Sequence, residues 1–242
     1  MGAITMIASG KDGVGKSTVA ALLGQALAAR GNRVLLLELE NGLRCLETFV
    51  NAGGSTIFDL ADVMSGRCEV ATAIAKSRNE EQLSVLYTAS RREDISDERF
   101  PALILSLAED YDHVLIDTDC SDSTLDAVSR VAMNCIVLAT PDPMGLRDAK
   151  YVCDRLFERS AANVRLILNR VDKALMKAVA VPHLDHCIDA VGAQLLGVVP
   201  QLTDIAACTA MGKAPAAGSV AQTVFINIAA RLDGRNMPLA IR

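Results

Sequence analysis

One segment near the start of the sequence has the residue types and spacing of a phosphate-binding loop. It matches the pattern G-x-x-x-x-G-K-[ST] and consists of Gly10, Lys11, Asp12, Gly13, Val14, Gly15, Lys16 and Ser17. Glycines let successive backbone N–H groups turn towards phosphate oxygens, and a helix that begins near Gly15 would add the positive end of its dipole. Lys16 would neutralise phosphate charge, Ser17 would hold Mg²⁺, and Thr18 completes the predicted cofactor-binding residues of the loop. The alternative is a glycine turn with a helix cap, but the apolar strand before the motif favours nucleotide binding.

Short aliphatic runs alternate with longer amphipathic stretches along the chain, and these elements must position the loop. The predicted strands span residues 3–8, 33–39, 83–87, 113–118, 134–139, 164–169 and 194–199. The predicted helices include 15–30, 97–109, 146–160 and 181–191. This alternation predicts an α/β fold with a doubly wound, mostly parallel sheet of about seven strands and a ligand site at their carboxyl ends. Asp117 ends the apolar run 113–116, so it is predicted to hold Mg²⁺ together with Ser17.

The composition excludes several classes of protein. Of 242 residues, 51% are hydrophobic and 22% are charged, which excludes a disordered or fibrous chain. Only 3% are aromatic, which argues against a protein that stacks nucleic-acid bases on aromatic side chains. The net charge of −5 gives no general attraction to DNA or anionic lipid. No linker or repeat divides the chain, so residues 1–242 are predicted to form one P-loop domain with a flexible tail at 233–242.

Cysteine usage and the missing targeting signals point to the cytoplasm. The seven cysteines form no C-x-x-C pair, which is typical of a reducing compartment. The N-terminus lacks the charged region of a secretory signal, and no apolar run reaches the roughly 20 residues that span a bilayer. His183 and His186, three residues apart on a predicted helix, are expected on a solvated face rather than in a metal site.

Several motifs together resemble the MinD/ParA family of bacterial ATPases, most closely its MinD branch. Lys11 stands directly after the first glycine, as in that family's G-K-G-G-V-G-K-[ST] loop, although alone it could be a solvated loop lysine. The segment 42–46 resembles the family's G-L-R-N-L, and 196–200 resembles its last strand with the loop that closes over the base. Asn169 and Arg170 match the family's adenine-contacting pair. The resemblance covers the chain from Ile4 to about Leu232.

The resemblance implies ATP, ADP and Mg²⁺ as ligands and a homodimer that holds ATP between its two copies. Lys11 would reach the partner's nucleotide, while Asn169, Arg170 and Pro200 would bind the base. One of the acidic residues Glu38 and Glu40 would order the attacking water, and the other would support the Mg²⁺ shell. Their alternative is an exposed acidic strand end. The predicted catalytic residues are therefore Lys11, Lys16, Glu38 and Glu40.

The departures from the family pattern concern hydrolysis more than binding. Asp12 replaces a glycine, and a carboxylate facing the phosphates would weaken nucleotide binding; the alternative is an Asp12 that turns to solvent or pairs with Lys11. Glu38 and Glu40 replace aspartates, and the extra methylene of each can misplace a water molecule or the metal. The segment 118–121 lacks the proline and glycine of the family's second switch. We expect nucleotide binding with slow hydrolysis.

These observations predict an ATP-dependent molecular switch whose dimer recruits or positions an effector protein, as in cell division, flagellum or pilus placement, or partition. The alternative is a non-hydrolysing nucleotide sensor of the same fold. A small-molecule synthetase and a metal or cluster carrier, the latter with Cys120 at a dimer axis, are less favoured. No direct nucleic-acid partner is expected. Gly234 and Pro238 interrupt any C-terminal amphipathic helix, so direct membrane contact is not favoured either.

Overall fold

Strands and helices alternate along the chain in the computed structural model, which describes residues 1–39, 44–54, 56–88, 98–119, 121–179, 181 and 183–239. Within these residues the strands are β1 (Ala3–Ser9), β2 (Val34–Glu38), β3 (Ala75–Lys76), β4 (Leu83–Tyr87), β5 (His113–Asp117), β6 (Asn134–Ala139), β7 (Val164–Val171) and β8 (Gln194–Pro200). The helices of the same residues are α1 (Lys16–Ala28), α2 (Cys45–Phe49), α3 (Leu60–Met64), α4 (Val70–Ala73), α5 (Arg99–Asp110), α6 (Asp122–Ser129), α7 (Pro143–Glu158), α8 (Lys173–Ala178), α9 (Leu184–Val191), α10 (Thr203–Ala210) and α11 (Val220–Leu232).

The strands that the structure describes form an eight-stranded sheet in the order β3-β4-β2-β5-β1-β6-β7-β8. Neighbouring strands are parallel except β3 and β4, which are antiparallel. The doubly wound, mostly parallel sheet predicted from the alternating pattern is therefore confirmed. The added strand is β3, whose two residues are too few to show a periodic hydrophobic pattern.

Helices cover both faces of the sheet because its central strands are apolar on both sides. In β1, Ile4, Met6 and Ala8 belong to one buried cluster, whereas Ile7 belongs to the other. The first cluster includes apolar residues of α5, α6, α7 and α9, and the second includes those of α1, α2, α10 and α11. Every residue of β2, β4 and β5 is buried. Such continuous aliphatic runs are typical of parallel strands between two helical layers.

Two helices begin three residues away from the predicted start, in each case where a side chain caps the first turn. Helix α7 begins at Pro143 rather than at residue 146, because Asp142 accepts a hydrogen bond from the Gly145 N–H at 2.9 Å. Helix α9 begins at Leu184 rather than at residue 181. There, the His183 Nδ1 accepts from the backbone N–H of His186 at 3.2 Å. His183 is thus placed as an exposed helix cap.

The segment after α11 is held by side chains of the domain. The Arg231 guanidinium donates to the carbonyl oxygens of Leu196 at 2.7 Å and Leu195 at 2.9 Å, both in β8, and to that of Met237 at 2.7 Å. Asp233 forms an ion pair of 2.9 Å with Arg30. Residues 233–239 therefore follow the surface without continuing the helix. None of the helices in the described ranges is long and apolar enough to cross a membrane.

We expect His113 to make the stability of the fold depend on pH. Burial lowers the pKa of this imidazole, an effect that the negative charges of Asp233 and Asp112 offset only in part. The unfolded chain then binds a proton more readily than the folded one, so stability falls as the pH drops through about 6.5. In His113→Asn, the loss of melting temperature between about pH 7.5 and about pH 5.5 should be smaller than in the wild type. The exposed His186→Asn is the matched control, and an undiminished loss in His113→Asn would contradict the expectation.

Candidate nucleotide-binding site

The glycine-rich loop begins tightly packed between β1 and α7. The Ser9 hydroxyl donates a hydrogen bond of 2.7 Å to the carbonyl oxygen of Lys11. At Gly10, a Cβ atom would overlap the backbone carbonyl of Asp148 in α7. Only glycine fits this close approach between two main chains. The entry to the loop is therefore fixed by the helix that follows β6.

The loop ends in a contact that requires a second glycine. Gly15 has φ of +102°, a left-handed conformation, and precedes the first residue of α1. The buried Asn169 donates from Nδ2 to the carbonyl oxygen of Val14 at 2.7 Å, and a Cβ on Gly15 would lie 2.5 Å from that nitrogen. Asn169, which the family resemblance predicts to contact the base, therefore holds the loop in place.

A cavity of about 220 Å³ lies at the start of α1. It is lined by Gly13, Gly15, Lys16, Ser17, Thr18, Glu38, Cys45, Phe49 and Arg170. Lys16 is only 4% exposed, and the first turn of α1 carries no acidic residue. The helix N-terminus and the lysine together make a site suited to phosphate oxygens. We name this space the phosphate cavity.

Two carboxylates stand side by side at the carboxyl ends of the central strands. Glu38 at the end of β2 is the register partner of Asp117 at the end of β5, and Asp117 also pairs with Ile7 of β1. Asp117 is fully buried, and Ser17 lies half-buried in the first turn of α1. Hydroxyl and carboxylate oxygens suit Mg²⁺, which commonly uses one or two protein ligands together with substrate phosphates and waters. The residues present therefore fit this metal, and no cluster of three or more acidic, histidine or cysteine ligands occurs among the described residues.

Glu38 makes a contact that sequence reasoning missed. Its carboxylate accepts hydrogen bonds from the backbone N–H groups of Cys45 at 2.8 Å and Leu46 at 3.3 Å, the first two residues of α2. Glu38 is 1% exposed, so these charge-assisted bonds lie in a water-poor region. The glutamate thus lines the phosphate cavity and caps α2 at once. Glu40 lies outside the described residues.

A second cavity, of about 250 Å³, adjoins the first and is called the base cavity here. It brings together Asn169, Arg170 and Pro200, the three predicted base contacts. The pairing of β7 with β8 shifts register at Asn169 and Arg170, and Arg170 has φ of +56°. Such bulges redirect side chains next to binding sites. Phe49 and the helix α10 form further walls that no sequence motif indicated.

Lys11 lies apart from both of these cavities. It is exposed and lines a third cavity of about 460 Å³ together with Asp142, Arg170 and Leu175. Burial raises the pKa of the Asp142 carboxyl, whereas hydrogen bonds from Thr140 and Gly145 and the positive charge of Lys11 lower it. The lowering effects are together the larger, so the pKa of Asp142 lies below its usual value. The Lys11 ammonium is therefore presented on the surface beside the loop.

Several residues at which the sequence departs from the family pattern can be located in the structure. The side chain of Asp12 is 90% exposed, and its Oδ1 lies 3.9 Å from the buried Nζ of Lys16. In the second-switch segment, the Thr118 hydroxyl donates to the Ile7 carbonyl oxygen at 2.9 Å. Asp119 accepts from the Ser121 N–H at 3.1 Å, and Ser121 caps α6. Cys120 lies outside the described residues.

Comparisons with known proteins agree with this geometry. Residues 5–216 match the model of the CobQ/CobB/MinD/ParA nucleotide-binding domain. The chain is 32% identical to the septum site-determining protein MinD of Bacillus subtilis over 249 aligned residues, covering 100% of this chain and 92% of that protein. The MinD of the Aquifex aeolicus MinC:MinD cell-division complex superposes with a TM-score of 0.86 at 26% identity, covering 98% of each chain. MinD of Pyrococcus horikoshii, solved with Mg-ADP, gives 0.82 at 25% identity, covering 96% of each chain.

The sheet and the glycine-rich loop at the carboxyl end of β1 define a P-loop nucleotide-binding protein. More specifically, the chain belongs to the CobQ/CobB/MinD/ParA family, on its MinD branch.

We expect Asp12 to weaken nucleotide binding through its charge. Because the carboxylate is exposed, its effect on a phosphate near Lys16 is reduced by solvent to about 1 kcal/mol, equivalent to about fivefold in affinity. Asp12→Gly and Asp12→Asn should therefore both lower the dissociation constant of Mg-ADP by about fivefold in calorimetry. Asp185→Asn, which removes an exposed charge on α9, is the control. Equal affinity in the wild type and Asp12→Asn would contradict the expectation.

Proposed function

We propose that the protein is an ATP-dependent molecular switch whose ATP-bound form is a homodimer that recruits a partner protein. The position of Lys11 supports this proposal. The loop supplies Lys16 to its own phosphate cavity, whereas Lys11 is exposed outside that cavity. A lysine placed in this way is free to reach a nucleotide held by a second copy. The exposed apolar side chains of Met144 and Leu175 add contact area near this face.

Each residue of the site has a proposed role. Lys16 and the N-terminal amides of α1 bind the β- and γ-phosphates, and the hydroxyl of Ser17 and the carboxylate of Asp117 hold Mg²⁺. When bound, Mg²⁺ supplies charge neutralisation of the phosphates. The base cavity, with Asn169, Arg170 and Pro200, binds adenine.

The attacking water in ATP hydrolysis is assigned to Glu38, the last residue of β2, or to Glu40, two residues later in the sequence. Glu38 lines the phosphate cavity but also caps α2. If Glu38 keeps this cap in the ATP-bound form, Glu40 is the residue left to order the water. Either arrangement predicts slow turnover, because catalytic groups must be placed to within a fraction of an ångström.

The similar proteins support a role in spatial positioning. The relatives named above include septum site-determining proteins, and one solved neighbour is a complex of MinD with a second protein, MinC. We therefore propose that the partner of this chain is a protein effector, and that the process is the placement of a cellular structure of the division type.

Lys11→Ala should abolish ATP-driven dimerisation while leaving nucleotide binding nearly intact. The side chain is exposed and outside the phosphate cavity, so its loss removes the contact with the partner's nucleotide and leaves the phosphate-binding groups in place. Light scattering with ADP, ATP and a non-hydrolysable ATP analogue measures the mass of the complex. Lys76→Ala, an exposed lysine on the edge strand β3, is the matched control. A Lys11→Ala protein that dimerises like the wild type would rule out the proposed contribution of this lysine.

A second candidate is a nucleotide sensor that dimerises with ATP but does not hydrolyse it. The cap that Glu38 forms on α2 and the hydrogen-bonded turn of Asp119 and Ser121 favour it, because both engage groups that a hydrolysing switch would have to move. Phosphate release measured on the light-scattering samples separates the two functions. ATP-dependent dimers without turnover indicate the sensor, and several turnovers per minute indicate the hydrolysing switch.

A further inference from the structure

Four residues line both the phosphate cavity and the base cavity, namely Gly15, Thr18, Phe49 and Arg170. A nucleotide is one continuous molecule, so a ligand with its phosphates in one cavity and its base in the other must place its sugar beside these residues. Among the described residues that line the two cavities, Phe49 is the one aromatic side chain. Flat apolar side chains are common walls of small-molecule sites, where a few polar groups fix the orientation.

The position of Phe49 is fixed from both ends of α2. At the start of the helix, the Glu38 carboxylate accepts the backbone N–H groups of Cys45 and Leu46. At its end, the Gln25 side chain in α1 donates to the carbonyl oxygen of Phe49 at 3.4 Å. Helix α2 is therefore tied to β2 and α1, the two elements that carry Glu38 and Lys16 at the phosphate cavity.

The Phe49 ring contributes to the core and to the cavities at once. Phe49 is partly buried and packs against the cluster that contains the fully buried residues Leu46 and Val50. Phe49 also lines the two cavities. This packing restricts the ring before a ligand arrives, so little conformational entropy remains to be lost on binding.

We propose that Phe49 is a positioning residue for the sugar of the bound nucleotide, held in place by Glu38 through α2. The inference rests on the proposed function, because it requires that a nucleotide occupies the two cavities. In this assignment, Phe49 makes the protein bind a nucleoside polyphosphate more tightly than an inorganic polyphosphate. Both ligands use the phosphate cavity, but only the nucleotide has a sugar and a base to place against the ring.

Calorimetry with Mg-ADP and with magnesium tripolyphosphate tests this assignment. In Phe49→Ala, the affinity for Mg-ADP should fall about tenfold, equivalent to about 1.4 kcal/mol, and tripolyphosphate should bind within about twofold of the wild type. Phe49→Leu keeps most of the core contact, so its ADP affinity should lie between those of the wild type and the alanine variant while its melting temperature stays near the wild-type value. Phe157→Ala, which removes an exposed aromatic ring on α7, is the control and should bind both ligands normally.

Three results would overturn the assignment. Unchanged ADP affinity in both Phe49 variants would show that the ring does not contact the ligand. A parallel loss of tripolyphosphate binding would show that Phe49 supports the phosphate cavity instead. Wild-type protein that binds neither ADP nor ATP would refute the proposed function itself, whereas wild-type binding with unaffected Phe49 variants refutes only the inference about the ring.

Discussion

The pairing of the central strands β1, β2 and β5 is held in one register, and the whole site depends on it. Ile7, Glu38 and Asp117 are aligned across the three strands, so the chain leaves the sheet at neighbouring points. The loop after β1, the helix α2 after β2 and the carboxylate of Asp117 therefore meet at the carboxyl ends of the central strands. Shifting one strand by a single residue would turn its side chains to the opposite face and separate these groups.

Several charged side chains are buried at these strand ends, and they determine which ligands the site can bind. Lys16, Glu38 and Asp117 are all buried, and buried charges require partners with good geometry. The N-terminal amides of α2 supply part of this compensation for Glu38. A polyphosphate placed in the cavity adds negative charge beside two carboxylates, so a divalent cation is the natural counter-charge. The buried charges of this site thus favour a metal–nucleotide pair over a free nucleotide.

Sequence reasoning predicted the sheet well because its strands are continuous aliphatic runs between polar segments. The bounds of β4 and β6 agree with the prediction residue for residue, whereas β3 has too few residues to leave a pattern. The phosphate loop was predictable from spacing alone, since its glycines and lysine have fixed geometric tasks. The base cavity was not, because its walls come from distant segments. Asn169, Arg170 and Pro200 were identified through a family resemblance, and nothing in the local pattern indicated Phe49.

The Glu38 cap illustrates what sequence alone leaves open. An acidic residue at the end of β2 can face a metal, a water molecule or a helix, and its type does not decide among them. The choice depends on where α2 lies relative to the end of β2, which is a property of the tertiary structure. In the described residues, the backbone amides of Cys45 and Leu46 lie within reach, and they bind the carboxylate.

The contacts of Arg231 limit how two copies of this protein can associate through the sheet. An outer strand such as β8 offers backbone carbonyl groups on which another chain could form an additional strand, which is a common start of aggregation. The guanidinium of Arg231 already engages the carbonyls of Leu195 and Leu196 and ties residue 237 to the same place. At the other border of the described sheet, β3 is only two residues long and offers little template. Growth of the described sheet from molecule to molecule is thus discouraged on both sides, so association between copies is left to surfaces other than the sheet edges.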